Sequence, residues 1–420
     1  MQIVNIFTIC PAAARHTLRG GDDLGVVFDN SAIRFDVLRR RAYNQRWAEQ
    51  EEGVIPLTAA DMDFPCAKPI VDAIVEYAQA GYFSYTPKRG LPEFRRSLAR
   101  YFNQRKKEPV PEELILPIDS AARAMSVIAR AVLKPGDEAI VCDPVDYLFK
   151  TSMEAAGAKI VLFPMRVKDG RIDFSDLESY ITPKTRMFGL CNPHNPLGLC
   201  YPLEDLDHIL GLSEKYGFYI MNDEIWSDIV YSDARFHSIL ELGAQRNRRT
   251  LSVFGFSKSY GIAGLRVGCL YAADPDLFER AVAASEVDST IGGISSLSQV
   301  AGMACLDRCG DWLEAFLAHL QGNRDYALER LNAMPGIRCR KSQATFALFP
   351  DMTGLGMGAE AFAELARQKY RVAVVPGGEK FFGPGSEGHI RICLATSRDV
   401  LKEGLDRLEQ AAGAAAAGRR

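Results

Sequence analysis

The feature that most constrains this chain is a regular alternation of short apolar runs with longer helical patterns. Patterns with helical periodicity cover 120–137 and 203–217. Runs rich in β-branched and other apolar residues occupy positions 137–144, 158–165, 185–193, 218–224, 251–256 and 266–272. Strands that alternate with helices and are apolar along most of their length are typical of a parallel sheet covered on both faces. We therefore predict an α/β fold with a mainly parallel sheet.

The pattern changes after about residue 290, and 420 residues exceed what a single core usually holds. Long helical stretches run through 295–333, and short alternating segments follow them, which indicates a second, smaller α+β domain. The predicted divisions are a poorly ordered N-terminal extension (1–30), a segment that joins the small domain (31–60), the large domain (61–300), the small domain (301–412) and a disordered, alanine-rich tail (413–420).

The composition indicates which kinds of partner and which cellular location to expect. A formal net charge of −3 gives no reason to expect a nucleic-acid partner or an anionic membrane surface. No run of about 18 apolar residues occurs, so we predict no membrane span. The ten cysteines show no repeated spacing. Cys305 and Cys309 stand four residues apart without a second pair nearby, which favours buried thiols over a metal site and a reducing, cytoplasmic location.

Polar residues follow three consecutive predicted strands. Asn195 lies in "NPHNPLG" after the 185–191 run, Asp223 ends "FYIMND", and Lys258 follows "LSVFGFS". Taken singly, these are compatible with a turn asparagine, a helix cap and a solvated lysine. Ligands gather beyond the carboxyl ends of parallel strands, so we expect an amide, a carboxylate and an amine to converge on one crevice.

These motifs, in this order, resemble those of the fold type I enzymes that depend on pyridoxal 5′-phosphate (PLP), in particular the class I/II aminotransferases. The resemblance covers roughly residues 30–412. It implies an aspartate-aminotransferase-like fold, in which a large PLP-binding domain with a mainly parallel seven-stranded sheet carries a smaller α+β domain. It also implies an enzyme that transfers an amino group between an L-amino acid and a 2-oxo acid.

The resemblance gives each strand-end residue a role. Lys258 would form the Schiff base with the cofactor aldehyde and move the proton at the substrate Cα. Asp223 would keep the pyridine nitrogen protonated, so that the ring accepts electrons. Asn195 would donate a hydrogen bond to the phenolic oxygen and lie next to the substrate.

The cofactor phosphate is expected at the start of a helix, in "IDSAARAM" (118–125). Backbone N–H groups at a helix start face an anion favourably, and Ser120, Ala121 and Ala122 match the family's positions. Ser257 would add a hydroxyl, and Arg266 a forked, charge-assisted contact.

Two further residues are interpreted through the same resemblance. Tyr85 in "YTPKRGLPEFR" matches a tyrosine that reaches the phosphate of the neighbouring subunit, which implies a homodimer with shared active sites. An aromatic side chain packed beside Pro87 is the alternative. Arg391 in "GHIRICLATS" matches an arginine that binds the substrate α-carboxylate, with a structural ion pair as the alternative.

The chain departs from the family pattern at two aromatic positions. Trp226 stands three residues after Asp223, where aminotransferases often have Tyr and the carbon–sulfur lyases often have His. In the family, the aromatic residue that stacks on the cofactor ring usually follows a Pro-x dipeptide. In "DPVDYLF" that position is Asp146, so the next residue, Tyr147, is the candidate for stacking on the ring, with plain packing as the alternative.

Other functions remain as alternatives. "LTAADMDFP" (57–65) and "CNPHNP" (191–196) look like the cystathionine β-lyase-type carbon–sulfur lyases, which release pyruvate and ammonia. A non-catalytic aminotransferase-like regulator would need an added DNA-binding domain, and an NAD-dependent dehydrogenase would need a G-x-G-x-x-G turn after a strand; neither is found. Lys88 and Arg89 are either readers of an acidic substrate side chain or solvated residues.

Overall fold

Strands and helices alternate through the centre of the chain in the computed structural model, which describes residues 26–168, 170–289 and 293–418. The strands are β1 (Ile55–Pro56), β2 (Ile115–Ile118), β3 (Glu138–Asp143), β4 (Lys159–Pro164), β5 (Val167–Lys168), β6 (Arg171–Ile172), β7 (Thr185–Cys191), β8 (Tyr219–Asp223), β9 (Thr250–Gly255), β10 (Gly268–Ala272), β11 (Ala347–Leu348), β12 (Val372–Ala373), β13 (Val375–Pro376) and β14 (Ile390–Cys393). The α-helices are α1 (Phe35–Arg41), α2 (Lys68–Gln79), α3 (Pro92–Tyr101), α4 (Ala121–Val132), α5 (Leu148–Ala155), α6 (Leu203–Tyr216), α7 (Pro275–Ser285), α8 (Ser296–Arg308), α9 (Gly310–Ala333), α10 (Ala359–Tyr370) and α11 (Arg398–Ala417).

The central sheet has seven strands within the described residues, in the order β2-β10-β9-β8-β7-β3-β4. The neighbours from β9 to β4 pair in parallel, whereas β10 is antiparallel to both β2 and β9. This arrangement confirms the predicted mainly parallel sheet. Because β7, β8 and β9 are adjacent and parallel, their carboxyl ends lie side by side at one edge of the sheet.

The sheet is covered by helices whose ends the sequence marks clearly. Helix α4 packs on β8, β9 and β10 and buries most of its apolar residues. It begins after Ser120, whose hydroxyl accepts a hydrogen bond from the Arg123 N–H at 3.1 Å. Helix α6 ends at Gly217, which adopts a left-handed φ of 77°. A Cβ at Gly255, the last residue of β9, would lie 3.6 Å from the Ala121 Cβ, so the start of α4 lies near the carboxyl end of β9.

The remaining elements form a smaller group of strands and helices. Strands β11, β14 and β13 make an antiparallel sheet, and α11 packs on α9 and α10. The N-terminal strand β1 pairs in parallel with β12, so that Ile55 lies opposite Val372. The segment predicted to join the small domain thus contacts it through backbone hydrogen bonds.

The structure contradicts the prediction of poor order at the C-terminal end. Helix α11 continues through residues 413–417, so the predicted disordered tail is wrong there. Alanine has the highest helix propensity, and Ala415 is buried, which explains the extension. Residues 1–25 of the predicted N-terminal extension lie outside the described residues. Within the described part, Phe28 is buried and packs edge-on against Phe64.

Two further observations concern the helices. Among the described residues, no helix combines the length and apolarity that crossing a bilayer requires. Helix α8 ends at Arg308, so Cys305 and Cys309 do not share one helix face, although both are buried free thiols.

Candidate active site

A cavity of about 560 Å³ opens at the carboxyl ends of the central strands. Almost all the site residues predicted from the sequence line this cavity. Those on its wall are Ser120, Ala121, Ala122, Tyr147, Asn195, Asp223, Trp226, Ser257, Lys258, Arg266 and Arg391. The position of this cavity is the one that a parallel α/β sheet favours for ligands.

Three side chains reach the cavity because three neighbouring strands end there. Asn195 follows β7, Asp223 is the last residue of β8, and Lys258 follows β9. The register places Cys191, the last residue of β7, opposite Asp223. The expected convergence of amide, carboxylate and amine is thus a direct consequence of the sheet order.

Lys258 is half-buried, and its Nζ donates a hydrogen bond to the Ala60 carbonyl at 2.7 Å. The Nζ also lies 5.6 Å from the centroid of the Trp226 ring. Burial lowers the pKa of Lys258, the nearby Asp61 carboxylate raises it, and the positive charge of Arg391 lowers it further. Because the pKa is lowered overall, the neutral, nucleophilic amine is easier to form than in water.

Asp223 is buried, and its Oδ1 accepts a hydrogen bond from the Ile225 N–H at 3.0 Å. Burial raises the pKa of this carboxyl to about 7, against the lowering effect of that hydrogen bond. Asp146 and Glu224 raise the pKa further by charge repulsion. A cationic group placed against Asp223 would therefore be strongly favoured, because it would relieve the cost of burying the carboxylate.

One end of the cavity suits an anion. Ser120 caps α4, and the first N–H groups of a helix have no partner within it, so those of Ala121 and Ala122 are available to a ligand. Gly268 leaves room for this helix start, since a Cβ there would lie 2.8 Å from the Phe254 carbonyl oxygen and 3.3 Å from the Ala121 nitrogen. Ser257 and Arg266 also line the cavity.

Arg391 projects from β14 and is buried, with 8% of its surface exposed. Its Nη1 donates to Asn195 Oδ1 at 3.3 Å, and its guanidinium lies 5.0 Å from the Phe382 ring centroid. Its Nε has no hydrogen-bond partner among the described residues. Burial lowers the pKa of Arg391, and the Asp146 charge opposes this. A guanidinium with unused donors in a cavity is suited to a ligand carboxylate rather than to a structural ion pair.

The two residues at the expected ring-stacking position differ in their contacts. Asp146 lies on the cavity wall and accepts a hydrogen bond from Asn195 Nδ2 at 3.0 Å. Tyr147 also lines the cavity but is 47% exposed, and its N–H donates to the Phe381 carbonyl at 3.2 Å.

Residues from the "YTPKRG" motif are not part of this cavity. The Tyr85 side chain is 98% exposed. Lys88 donates to the Asp288 carbonyl at 2.5 Å, and Arg89 forms ion pairs with Asp288 and Glu279, each at 2.7 Å. Lys88 and Arg89 therefore have partners outside the cavity, on Asp288 and Glu279.

The structure adds residues that sequence reasoning did not select. Ala60 supplies the carbonyl that contacts Lys258, and Asn44, Gln45 and Phe381 also line the cavity. These residues come from segments far apart in sequence, and apolar or amide side chains in such segments carry no chemical signature. The "LTAADMDFP" stretch gave the nearest available signal, since it contains Ala60.

Comparison with known proteins identifies the family. A model of the family "Aminotransferase class I and II" matches residues 52–408. The aspartate aminotransferase of Pyrococcus horikoshii is 30% identical over 367 residues, which cover 87% of this chain and 92% of that protein. The cystathionine beta-lyase PatB of Bacillus subtilis is 29% identical over 363 residues, which cover 85% of this chain and 92% of that protein.

A solved structure shows the same fold. A protein from Clostridium difficile 630, crystallised with bound PLP, superposes with a TM-score of 0.83 at 26% identity. The superposition covers 89% of this chain and 97% of that one. With a family model that spans most of the sequence and a cavity that gathers the matching residues, the chain belongs to the class I and II aminotransferases.

Proposed function

We propose that the protein is a PLP-dependent aminotransferase that moves an amino group between an L-amino acid and a 2-oxo acid. The observation that carries this proposal is the shared cavity of Lys258, Asp223 and Arg391. An amine with a lowered pKa, a buried carboxylate and an incompletely paired guanidinium are the groups that this chemistry needs. The similarity to aspartate aminotransferase supports the same conclusion.

The cavity residues fit the cofactor. The start of α4, at Ser120 to Ala122, would hold the phosphate together with Ser257 and Arg266. Asp223 would face the pyridine nitrogen, whose positive charge would offset the cost of burying this carboxylate. When bound, PLP supplies an electron sink that stabilises negative charge at the substrate Cα.

The protein residues around the cofactor have separate tasks. Lys258 would accept the proton from the substrate Cα and return it, because its burial favours the neutral amine. Asn195 would donate to the phenolic oxygen of the ring. Trp226, whose ring lies beside Lys258, and Tyr147 would enclose the ring and limit access of water.

Arg391 would orient the substrate. Its guanidinium lines the cavity and donates to Asn195, and its remaining donors would bind the α-carboxylate through two parallel hydrogen bonds. Asn195, which accepts from Arg391 Nη1, would lie next to the bound carboxylate. Fixing the carboxylate places the Cα proton within reach of Lys258.

We also propose a homodimer with shared active sites, in a cytoplasmic location. Tyr85 is almost fully exposed in a single chain, which suits a side chain that reaches the phosphate site of a second copy. The exposed Tyr82 and Phe83 beside it would be covered in such a dimer. The free thiols of the nine described cysteines support a reducing compartment.

The test is a set of L-amino acid donors incubated with 2-oxoglutarate and the PLP-loaded protein. We expect formation of glutamate and of the matching 2-oxo acid, and Lys258→Ala should abolish both. L-cystathionine is added in parallel without any 2-oxo acid. Sustained pyruvate release there, with no transamination of any donor, would contradict the proposal and would identify a carbon–sulfur lyase, the activity named for PatB.

A further inference from the structure

Asp146 is a charged cavity residue to which the proposed function gives no task. It follows β3, at the position where the family resemblance places a ring-stacking aromatic residue. Its side chain is half-buried on the cavity wall. A carboxylate offers no aromatic face to a pyridine ring, so its role has to be derived from its own contacts.

The backbone around Asp146 is held firmly. The Val145 N–H donates to the Phe382 carbonyl at 2.9 Å, and the Tyr147 N–H donates to the Phe381 carbonyl at 3.2 Å. Asp146 Oδ1 accepts a hydrogen bond from the Leu148 N–H at 3.1 Å, at the start of α5. These contacts fix the carboxylate, and the second oxygen, Oδ2, is directed at Asn195.

The contacts of Asn195 determine how its amide is oriented. Nδ2 donates to Asp146 Oδ2 at 3.0 Å, and Oδ1 accepts from Arg391 Nη1 at 3.3 Å. A carboxylate can only accept hydrogen bonds and a guanidinium can only donate them. Both neighbours therefore impose the same orientation, since a flipped amide would face an acceptor with its oxygen and a donor with its nitrogen. One N–H of Nδ2 is then left for a ligand in the cavity.

The charge of Asp146 also acts on the reactive groups. It opposes the effect of burial by raising the pKa of both Lys258 and Arg391. The titratable or charged groups that act on Lys258 include Asp61, Asp146, Asp223, Arg391 and Cys393, and Arg266 and Lys380 also line the cavity. Asp146 and Arg391 both hydrogen-bond Asn195, and Asp146 is the acidic partner, so it couples the charge balance of the cavity to the orientation of the amide.

We propose that Asp146 is a positioning residue that orients the Asn195 amide toward the cofactor's phenolic oxygen and offsets the charge of Arg391 beside Lys258. The inference rests on the proposed function, in which Asn195 and Lys258 contact PLP. In this role the Asp146 carboxylate acts through charge and a hydrogen bond, where the family's aromatic residue acts by stacking on the ring. The role is expected to show in the pH behaviour of the bound cofactor rather than in folding.

The test is a pH titration of the visible absorption band of the PLP-loaded protein, with wild type and Asp146→Asn compared. Asparagine keeps the size and the hydrogen bond to the Leu148 N–H but removes the charge. We expect the midpoint to fall by about one pH unit, because the protonated cofactor linkage loses a nearby negative charge. The affinity for maleate, a dicarboxylate that competes for Arg391, should rise roughly fivefold.

The matched control is Asp137→Asn, the same substitution at the opposite end of β3. Asp137 accepts a hydrogen bond from the Lys134 N–H at 2.8 Å and is not part of the cavity. We expect it to leave the midpoint unchanged. Asp146→Ser provides a second variant in case the asparagine protein fails to fold, since serine also caps a helix but is too short to reach Asn195.

The outcomes separate the two proposals. If the wild-type protein shows the visible band and the midpoints of the Asp146 variants lie within about 0.2 pH unit of the wild-type midpoint, the inference about Asp146 is overturned and the proposed function is not. An equal shift in Asp137→Asn would also overturn it, because the effect would then be one of overall charge. A wild-type protein that develops no visible band with PLP would overturn the proposed function and this inference with it.

Discussion

Arg391→Lys is the substitution that tests substrate recognition most directly. The wild-type guanidinium is buried on the cavity wall, has one hydrogen bond to Asn195, and keeps its Nε without a partner among the described residues. Lysine preserves the positive charge but loses the planar fork that binds a carboxylate through two parallel hydrogen bonds. The substitution therefore removes the geometry needed for two parallel hydrogen bonds and leaves the positive charge in place.

The size of the effect follows from the number of hydrogen bonds lost. A hydrogen bond to a charged group contributes about 1.5–3 kcal/mol. Lysine at position 391 can make one such bond to the α-carboxylate instead of two, so one is lost. At about 1.4 kcal/mol for each factor of ten, kcat/KM for an L-amino acid should fall roughly 10- to 150-fold. Arg391→Ala loses both bonds, so kcat/KM should fall by about two to four orders of magnitude.

The assay compares an amino acid with its own amide. The conversion of bound cofactor is followed by absorbance in single turnovers, so that amino-acid binding and chemistry are measured without the second substrate. The amide lacks the carboxylate, and its rate should change less than threefold, or about 0.6 kcal/mol, between wild type and Arg391→Lys. The matched control is Arg371→Lys, since Arg371 pairs with Glu51 on the surface, outside the cavity.

Two results would contradict a role of Arg391 in binding the substrate carboxylate. An equal loss with the amino acid and the amide would show that Arg391 supports the structure of the cavity and does not bind the carboxylate. An undiminished kcat/KM for the amino acid would show that the carboxylate is bound elsewhere.

Three further predictions concern stability, pH and assembly. Asp63→Asn should lower the free energy of unfolding by about 3–5 kcal/mol in urea titrations, because it leaves the charge of Arg46 buried without its partner, which lies 2.5 Å away. In cofactor-free protein, burial raises the pKa of Asp223 to about 7 from 3.8, so between these pH values the native state holds a proton that the unfolded state has released. The free energy of unfolding should therefore fall as pH rises from about 4 to about 7. Urea titrations at each pH measure this, and Asp223→Asn should remove the dependence. If Tyr85 completes the neighbouring site, inactive Lys258→Ala and impaired Tyr85→Ala proteins should regain activity when mixed and allowed to exchange subunits, whereas no recovery would contradict a shared site.

The class of fold and the centre of the site could be predicted from the sequence. The alternation of apolar strands with helical patterns is a local property, and it predicts the parallel sheet because such strands are buried on both faces. Asn195, Asp223 and Lys258 follow three of these strands, so their convergence requires only that the strands be neighbours. The cofactor and the activity were predicted from the resemblance of the motifs to those of a known family, since the spacing of the three polar residues does not by itself identify the chemistry.

Contacts between segments that are distant in the chain could not be predicted from the sequence. Lys258 meets the Ala60 carbonyl across 198 positions, and Arg391 meets Asn195 across 196 positions. No local pattern encodes such pairs, because they depend on how two groups of elements pack. The same holds for Asp146: the sequence showed an aromatic residue replaced by a carboxylate, and only its hydrogen bond to Asn195 indicates what that carboxylate does.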